Sequence, residues 1–181
     1  MTSAIAHRIC TRDEARDLVT GRERLWLSRC SLEEPEGDRP VRPESFCLGF
    51  APGKPPGTAA VAGIAADEAL EILEESRERR LVALTFRIPS AGDEVSGVCF
   101  CRGDCCAVPG EGYRMRCERG AMIERTDEGC CSSCGICEQA CPFSTRVMDE
   151  GELVIVRCRC FGCGLCAEAC PEGCVEMEPR T

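Results

Sequence analysis

Two runs of four cysteines dominate the second half of the chain. The first, CSSCGICEQACP, occupies residues 131–142, and the second, CFGCGLCAEACP, occupies residues 160–171. They are identical at seven of twelve positions and share the spacing C-x-x-C-x-x-C-x-x-x-C-P. Cysteines with two residues between them can present several sulfurs to one centre, so this part of the chain has to fold around the group that those sulfurs bind.

Cysteine supplies 19 of the 181 residues, and disulfides, zinc or iron–sulfur clusters can account for such a number. The first ten residues have no apolar core of a signal peptide, and no run approaches the roughly 18 apolar residues of a membrane span. We therefore expect a cytoplasmic protein without a membrane span, whose thiols stay reduced. An odd cysteine count fits disulfides poorly, and zinc sites usually include histidine, whereas His7 is the only one here.

The charge of the chain bears on its partners. The formal net charge is -9 and the isoelectric point is near 4.8. Nucleic acids are bound through an excess of Lys and Arg, so the composition predicts that this protein does not bind them.

Cysteine density divides the chain into three regions. Residues 1–95 are expected to form a helix and strand extension that can dock a partner, 96–118 a Cys-rich segment, and 119–181 the repeat. In the extension, Thr11 and Glu14 form a possible capping box for a helix that continues towards Leu25 unless Gly21 ends it.

Further along, residues 67–80 have acidic residues at the start and arginines at the end, which favours a helix. Residues 81–88 alternate like a strand, and 31–45 and 51–63 are predicted loops. The large aromatic side chains of this extension are expected to pack in its core, namely Trp26, Phe46 and Phe86.

Each cysteine run is flanked by strand-like segments: 121–125 and 145–149 around the first, and 152–157 and 174–178 around the second. The repeat therefore predicts an α+β fold with internal pseudo-two-fold symmetry. Gly135 and Gly164 would allow the backbone to approach the bound group closely.

Residues 119–181 resemble a bacterial-type two-[4Fe–4S] ferredoxin, with a (βαβ)2 fold, in spacing, in both prolines and in the absence of insertions. The resemblance implies that the fourth cysteine of each run binds the cluster of the other run. One cluster would be held by Cys131, Cys134, Cys137 and Cys170. The second would be held by Cys160, Cys163, Cys166 and Cys141.

Several other cysteines lie outside these two sets. Cys130, Cys158 and Cys174 are interpreted as small buried apolar residues. A second possible group, of scattered spacing, consists of His7, Cys10, Cys30 and Cys47.

A different pattern, GVCFCRGDCC, occupies residues 97–106. Cys99 and Cys101 would share one face of a strand, and a turn at RGD would return Cys105 and Cys106 towards them. These four thiols predict a third metal site, either a third [4Fe–4S] cluster or zinc, with Cys117 or Cys47 as a possible fourth ligand in place of one of the adjacent pair.

Residues 47–106 also resemble larger ferredoxin-like proteins of anaerobes. The resemblance lies in CLGF at 47–50, DEALEIL at 67–73, LVAL at 81–84 and CFCRGDCC at 99–106, which departs from that group's pattern by having Arg102 where the group has cysteine. It implies an electron-transfer role with at least one metal site beyond the ferredoxin pair.

Clusters held entirely by thiolates leave no iron open to substrate, which predicts an electron carrier rather than an enzyme. The long extension favours the electron-relay subunit of a larger reductase over a free, diffusible ferredoxin, with a redox partner that offers a basic docking patch. The alternatives are an enzyme or redox sensor with a special cluster near Cys99, and a DNA-binding regulator, which the acidic charge disfavours.

Overall fold

The computed structural model describes residues 6–29, 45–50, 61–88, 92, 94–102 and 117–181. The fold is of the α+β class. In chain order its elements are β1 (Ala6–Cys10), α1 (Arg12–Val19), β2 (Leu25–Arg29), β3 (Phe46–Gly49), β4 (Val61–Ile64), α2 (Ala66–Glu78), β5 (Val82–Arg87), β6 (Gly97–Cys101), β7 (Cys117–Glu118), β8 (Met122–Thr126), α3 (Ile136–Ala140), β9 (Arg146–Asp149), β10 (Glu152–Ile155), a 3-10 helix (Arg157–Arg159), α4 (Leu165–Ala169) and β11 (Val175–Pro179).

The first seven strands form one sheet in the order β4-β2-β3-β6-β5-β1-β7. All neighbouring strands are antiparallel except β1 and β7. Strands β6 and β7 come from the Cys-rich segment 96–118, so that segment contributes to the same sheet as the extension before it.

Helices α1 and α2 cover one face of this sheet, which we call the helix face. Ala15 and Val19 of α1 and Leu73 of α2 pack there with Val98 and Phe100 of β6, and all five are fully buried. Burying one large apolar side chain contributes about 1.5–3 kcal/mol, and the sum of these contributions holds this layer together.

The opposite face carries cysteines, and we call it the cysteine face. Because side chains alternate along a strand, Cys99 and Cys101 point away from Val98 and Phe100. Cys99 packs with Cys47 and Phe86 in a separate buried cluster, against which Trp26 lies. A Cβ on Gly49 would lie 1.8 Å from the Trp26 ring, so only glycine fits there.

Residues 119–181, which we call the C-terminal region, consist of two strand–helix–strand halves, β8-α3-β9 and β10-α4-β11. Strand β8 pairs with β11 of the other half, and β9 pairs with β10, both antiparallel. Every strand pair therefore joins the two halves.

The C-terminal region packs against the cysteine face of the sheet. Leu165 of α4 is buried with Val82, Leu84 and Cys101 of the sheet, while Phe161 packs against them from the second cysteine run. A second contact is an ion pair in which Arg12 Nε lies 3.1 Å from Glu168 Oε1.

The local predictions can be compared with these elements. The capping box of Thr11 and Glu14 is confirmed, and α1 ends at Val19, before Gly21. The helix at 67–80, the strand at 81–88 and the strands flanking both cysteine runs are confirmed as α2, β5, β8, β9, β10 and β11.

Other local predictions were wrong or only partly right. Leu25 begins β2 instead of extending the helix, and residues 61–63, expected in a loop, belong to β4. Phe86 is buried, whereas Trp26 and Phe46 are half-buried at the edges of their clusters. Within the described ranges, no helix combines the length and apolar character that crossing a membrane requires.

Candidate metal centres

A first cavity lies between the two halves of the C-terminal region. Leu153 and Val175 line it together with five cysteines. These are Cys131, Cys134, Cys137, Cys170 and Cys174.

A second cavity lies beside α4. Phe143, Phe161 and Met177 form its apolar wall. Its cysteines are Cys141, Cys160, Cys163 and Cys166.

The two cavities exchange their last cysteines. Cys170, the fourth cysteine of the second run, lines the cavity of the first run, and Cys141 of the first run lines the cavity of the second. The structure thus brings each expected set of four cysteines to one cavity. Cys130 does not line the first cavity, whereas Cys131 does.

The backbone repeats itself around the two cavities. Residues 29 positions apart take left-handed conformations as three matched pairs: Ser133 and Gly162, Gly135 and Gly164, and Ser144 and Gly173. Only glycine fits at position 162, because a Cβ there would lie 2.1 Å from the carbonyl oxygen of Met122. The same turns present the cysteines of both runs.

A buried arginine forms part of the wall of both cavities. The side chain of Arg146 is fully buried, and its Nη1 donates to Cys137 Sγ at 3.4 Å. Its Nη2 donates to Glu124 Oε2 at 2.5 Å and to Thr126 Oγ1 at 2.7 Å. Its Nε is buried without a hydrogen-bond partner among the described residues.

Glu124 is buried with that arginine and is held by a second one. Arg157 Nε donates to Glu124 Oε1 at 2.9 Å, and Thr126 Oγ1 donates to Glu124 Oε2 at 2.7 Å. Arg157 is 55% exposed at its side chain, whereas Glu124 is 1% exposed. The carboxylate therefore has charged partners on both oxygens, as a buried charge requires.

The thiols of the cavities differ in acidity. Burial raises the pKa of Cys163 to about 12 and that of Cys166 to about 11, although the charge of Arg146 opposes the second shift. Burial also raises the pKa of Cys170, but hydrogen bonds from Cys174 and from the Glu172 and Gly173 backbone outweigh it and lower the pKa overall. Metal binding at the buried thiols would release protons, since thiolates are the ligands.

The structure corrects several expectations about the other cysteines. Cys174 is buried as expected, with its Sγ 3.4 Å from that of Cys170, but Cys130 and Cys158 are exposed. His7, a member of the scattered group, is buried on β1.

The scattered group also separates in space. Cys10 packs on the helix face and Cys47 in a cluster on the cysteine face, so the sheet lies between these two thiols. The structure does not bring them together as one site, and Cys30 lies outside the described residues.

Cys99 and Cys101 lie on β6 as expected, both buried on the cysteine face. Cys47 on β3 is directly opposite Cys99 in the antiparallel register. Cys105 and Cys106, the other two expected ligands, lie outside the described residues. In the part of the chain that the structure describes, no group of three or more His, Cys, Asp or Glu is close enough to hold a single metal ion.

Arg146 and Glu124 were not anticipated from the sequence. Both belong to strand-like segments of alternating character, and surface exposure is the usual state of such residues. A signal was present, because Arg146 falls five residues after Cys141 and is followed by two apolar residues, Val147 and Met148, in a strand-like segment.

Neither family models nor curated proteins give a match to this chain.

Proposed function

We propose that this protein is an iron–sulfur electron-transfer protein with two [4Fe–4S] clusters in its C-terminal region. The observation that carries the proposal is the exchange of Cys141 and Cys170 between the two cavities. A structure in which each run closed its own site would need all four cysteines of one run at one cavity. The exchange is the ligand pattern of two-cluster ferredoxins.

The chemistry of the cavities fits this cofactor. Every metal-ligating side chain of the expected sets is a thiol, the ligand that iron–sulfur clusters require. The buried Nε of Arg146, which has no hydrogen-bond partner among the described residues, is a donor that a cluster sulfide or thiolate would satisfy. The clusters would supply one-electron exchange, while the cysteines hold them and the surrounding side chains exclude water.

The packing between the two regions supports a relay. Cys163 of the second cavity packs against the apolar cluster that contains Cys101 of the cysteine face. An electron arriving near β6 would therefore meet the second cavity before the first. This order gives the seven-stranded sheet a role as the docking and entry side of a subunit in a larger reductase.

The partner would be a redox protein or reductase subunit with a basic docking patch. The chain carries a formal net charge of -9, and cluster binding by four thiolates adds roughly two negative charges per oxidised cluster. Association should therefore slow as ionic strength rises.

The decisive experiment is an iron and sulfide assay on protein purified without oxygen, with EPR of the reduced sample. Two clusters require about eight irons and the spectrum of two interacting paramagnets. Protein that binds zinc in place of iron, or about four irons after full reconstitution, would contradict the proposal. Co-purification of a stoichiometric large subunit from the native host would separate a relay subunit from a free carrier.

A third metal site on the cysteine face is proposed together with the first two. It is supported by the pairing of Cys47 with Cys99 and by the common face of Cys99 and Cys101, all at most 8% exposed. Opposite residues on paired strands have Cβ atoms about 5 Å apart, and residues two apart on a strand are about 6.7 Å apart. Cys105 and Cys106 stay the other two proposed ligands, as the sequence predicts, with Cys47 as the alternative to one of this adjacent pair.

Metal counting tests this third site. A third cluster raises the iron content to about twelve, while zinc would give about eight irons and one zinc. Cys99→Ser with Cys101→Ser should remove about four irons and leave the other two clusters intact. Cys10→Ser, on the helix face of the same sheet, is the matched control and should remove none. Eight irons without zinc in the unmodified protein would exclude the third site.

A further inference from the structure

The side chain of Arg146 is the largest of the fully buried side chains among the described residues. Burying a charged group costs several kcal/mol unless partners compensate for the lost water. Part of that compensation comes from Glu124 and Thr126, and part comes from the thiol of Cys137. A chain keeps such a group inside only if its partners hold it there.

The position of Arg146 relates it to both cavities at once. It lines the first cavity with Cys137 and the second with Cys166. The guanidinium of an arginine is not deprotonated in proteins. The side chain is therefore positively charged at every pH at which the protein is folded.

We propose that Arg146 raises the reduction potentials of both clusters and acts as an electrostatic element shared between them. This inference rests on the proposed function, since it needs clusters in the two cavities. Reduction adds one negative charge to a cluster, and a nearby buried positive charge stabilises that added charge in a medium of low dielectric constant. Hydrogen bonds to cluster sulfurs act in the same direction.

The two clusters should respond unequally. Arg146 donates directly to Cys137 Sγ, a ligand of the first cluster, whereas no hydrogen bond connects it to Cys166 in the described structure. The reduction potential of the first cluster should therefore be raised more than that of the second, which favours electron flow from the second cavity to the first. Glu124 acts in the opposite direction. Its carboxylate is buried beside the same guanidinium, and its negative charge lowers both reduction potentials.

Potentiometric titration followed by EPR tests this inference. In Arg146→Gln, the reduced-to-oxidised ratio of the first cluster at a fixed solution potential should fall at least tenfold, which corresponds to about 59 mV for one electron. The ratio of the second cluster should fall less, in the same direction. Arg146→Lys keeps the charge without the fork of donors and should fall between Arg146→Gln and the unmodified protein.

Arg157→Gln is the matched control. It removes a positive charge that pairs with the same Glu124 carboxylate. The side chain that carries this charge is 55% exposed and lines neither cavity. Its effect should be less than twofold. Equal effects of Arg146→Gln and Arg157→Gln, or unchanged potentials in Arg146→Gln, would overturn the inference.

Glu124→Gln covers the case in which Arg146→Gln does not hold its clusters. Removing the buried negative charge should raise both potentials, and unchanged or lowered potentials in a fully loaded Glu124→Gln protein would overturn the inference. Iron content is measured on every sample. A variant with the iron content of the unmodified protein and unshifted potentials would reject the role of Arg146 alone, whereas unmodified protein without iron would reject the proposed function and this inference with it.

Discussion

The seven-stranded sheet and the C-terminal region fill their interiors with different side chains. Among the described residues, the helix face of the sheet buries eleven, of which only Cys10 is a cysteine. The main buried cluster of the C-terminal region has four, and three of them are cysteines: Cys137, Cys166 and Cys174. One region can therefore be held by apolar packing, while the other is arranged around two cavities.

This difference assigns the two regions different sources of stability. Apolar side chains keep their burial energy in any redox or metal state. Cysteines that face a cavity contribute most when a metal joins them, since metal binding then adds directly to folding free energy. The following predictions separate the two sources.

Iron removal should have the largest effect. A region of about 60 residues with few large apolar side chains cannot bury enough surface alone, so chelation should unfold residues 119–181 and reduce the far-UV circular dichroism. The sheet should persist, and Trp26, the single tryptophan, reports on it by fluorescence. Limited proteolysis of the full-length protein should then cut first within 119–181. An iron-free protein whose C-terminal region still unfolds cooperatively would contradict this assignment.

Crossed ligation should produce the next largest effect, the loss or alteration of one cluster. Cys170→Ser should change the EPR signal of the cluster held by Cys131, Cys134 and Cys137, because Cys170 lines that cavity. Cys174→Ser is the matched control, since it removes the neighbouring thiol of the same cavity and should keep the iron content of the unmodified protein. A change confined to the cluster of Cys160, Cys163 and Cys166 would show that the ligand sets are not exchanged.

Much of the C-terminal region could be predicted from the sequence, because its elements depend on short-range spacing. The cysteine runs, their glycines and the flanking strands are all local patterns, and the structure places them as expected. The exchange of Cys141 and Cys170 followed from a family resemblance, since spacing alone does not say which cavity a fourth cysteine reaches.

The sheet was predicted less well because its order depends on long-range pairing. Strands β3 and β6 pair Cys47 with Cys99 across 52 residues, and no local pattern encodes that register. The strands β2 and β4 are short, and the glycine at 63 together with small residues made β4 look like a loop. Arg146 and Glu124 were missed for a related reason, since a buried ion pair requires partners that only the fold supplies.

Substitutions at the contact between the two regions should have an intermediate effect on the free energy of unfolding. Arg12 is 7% exposed and donates to the Leu73 and Leu81 carbonyls, to Ser76 Oγ and to Glu168. Arg12→Met removes a charged donor from Ser76 Oγ, the Leu81 carbonyl and Glu168, while the Leu73 carbonyl still accepts from Ser76 Oγ. The substitution should lower the free energy of unfolding by about 3 kcal/mol in chemical denaturation.

Glu168→Gln is the companion variant at this contact. Its side chain is 22% exposed and Gln keeps an acceptor, so the expected loss is below about 1 kcal/mol. If both variants cost the same, the ion pair to Glu168 would be the main role of Arg12, and its contacts with the end of α2 would be secondary.

The last prediction concerns the pH dependence of the stability of the sheet. Burial, followed by the charge of Glu14, raises the pKa of Cys10 to about 12, whereas an unfolded cysteine titrates near about 8.5. The folded state thus holds the proton more tightly, so this contribution is complete below about pH 8.5 and is lost as pH rises towards 12. The loss should approach about 1.4 kcal/mol per pH unit above about pH 9. Denaturation followed by Trp26 fluorescence at pH 8 and 10.5, under reducing conditions, should show a shallower pH dependence in Cys10→Ala than in the unmodified protein. Cys158→Ala, which removes an exposed thiol, should keep the original slope. Parallel slopes for all three proteins would mean that Cys10 ionises as readily in the folded sheet as in the unfolded chain.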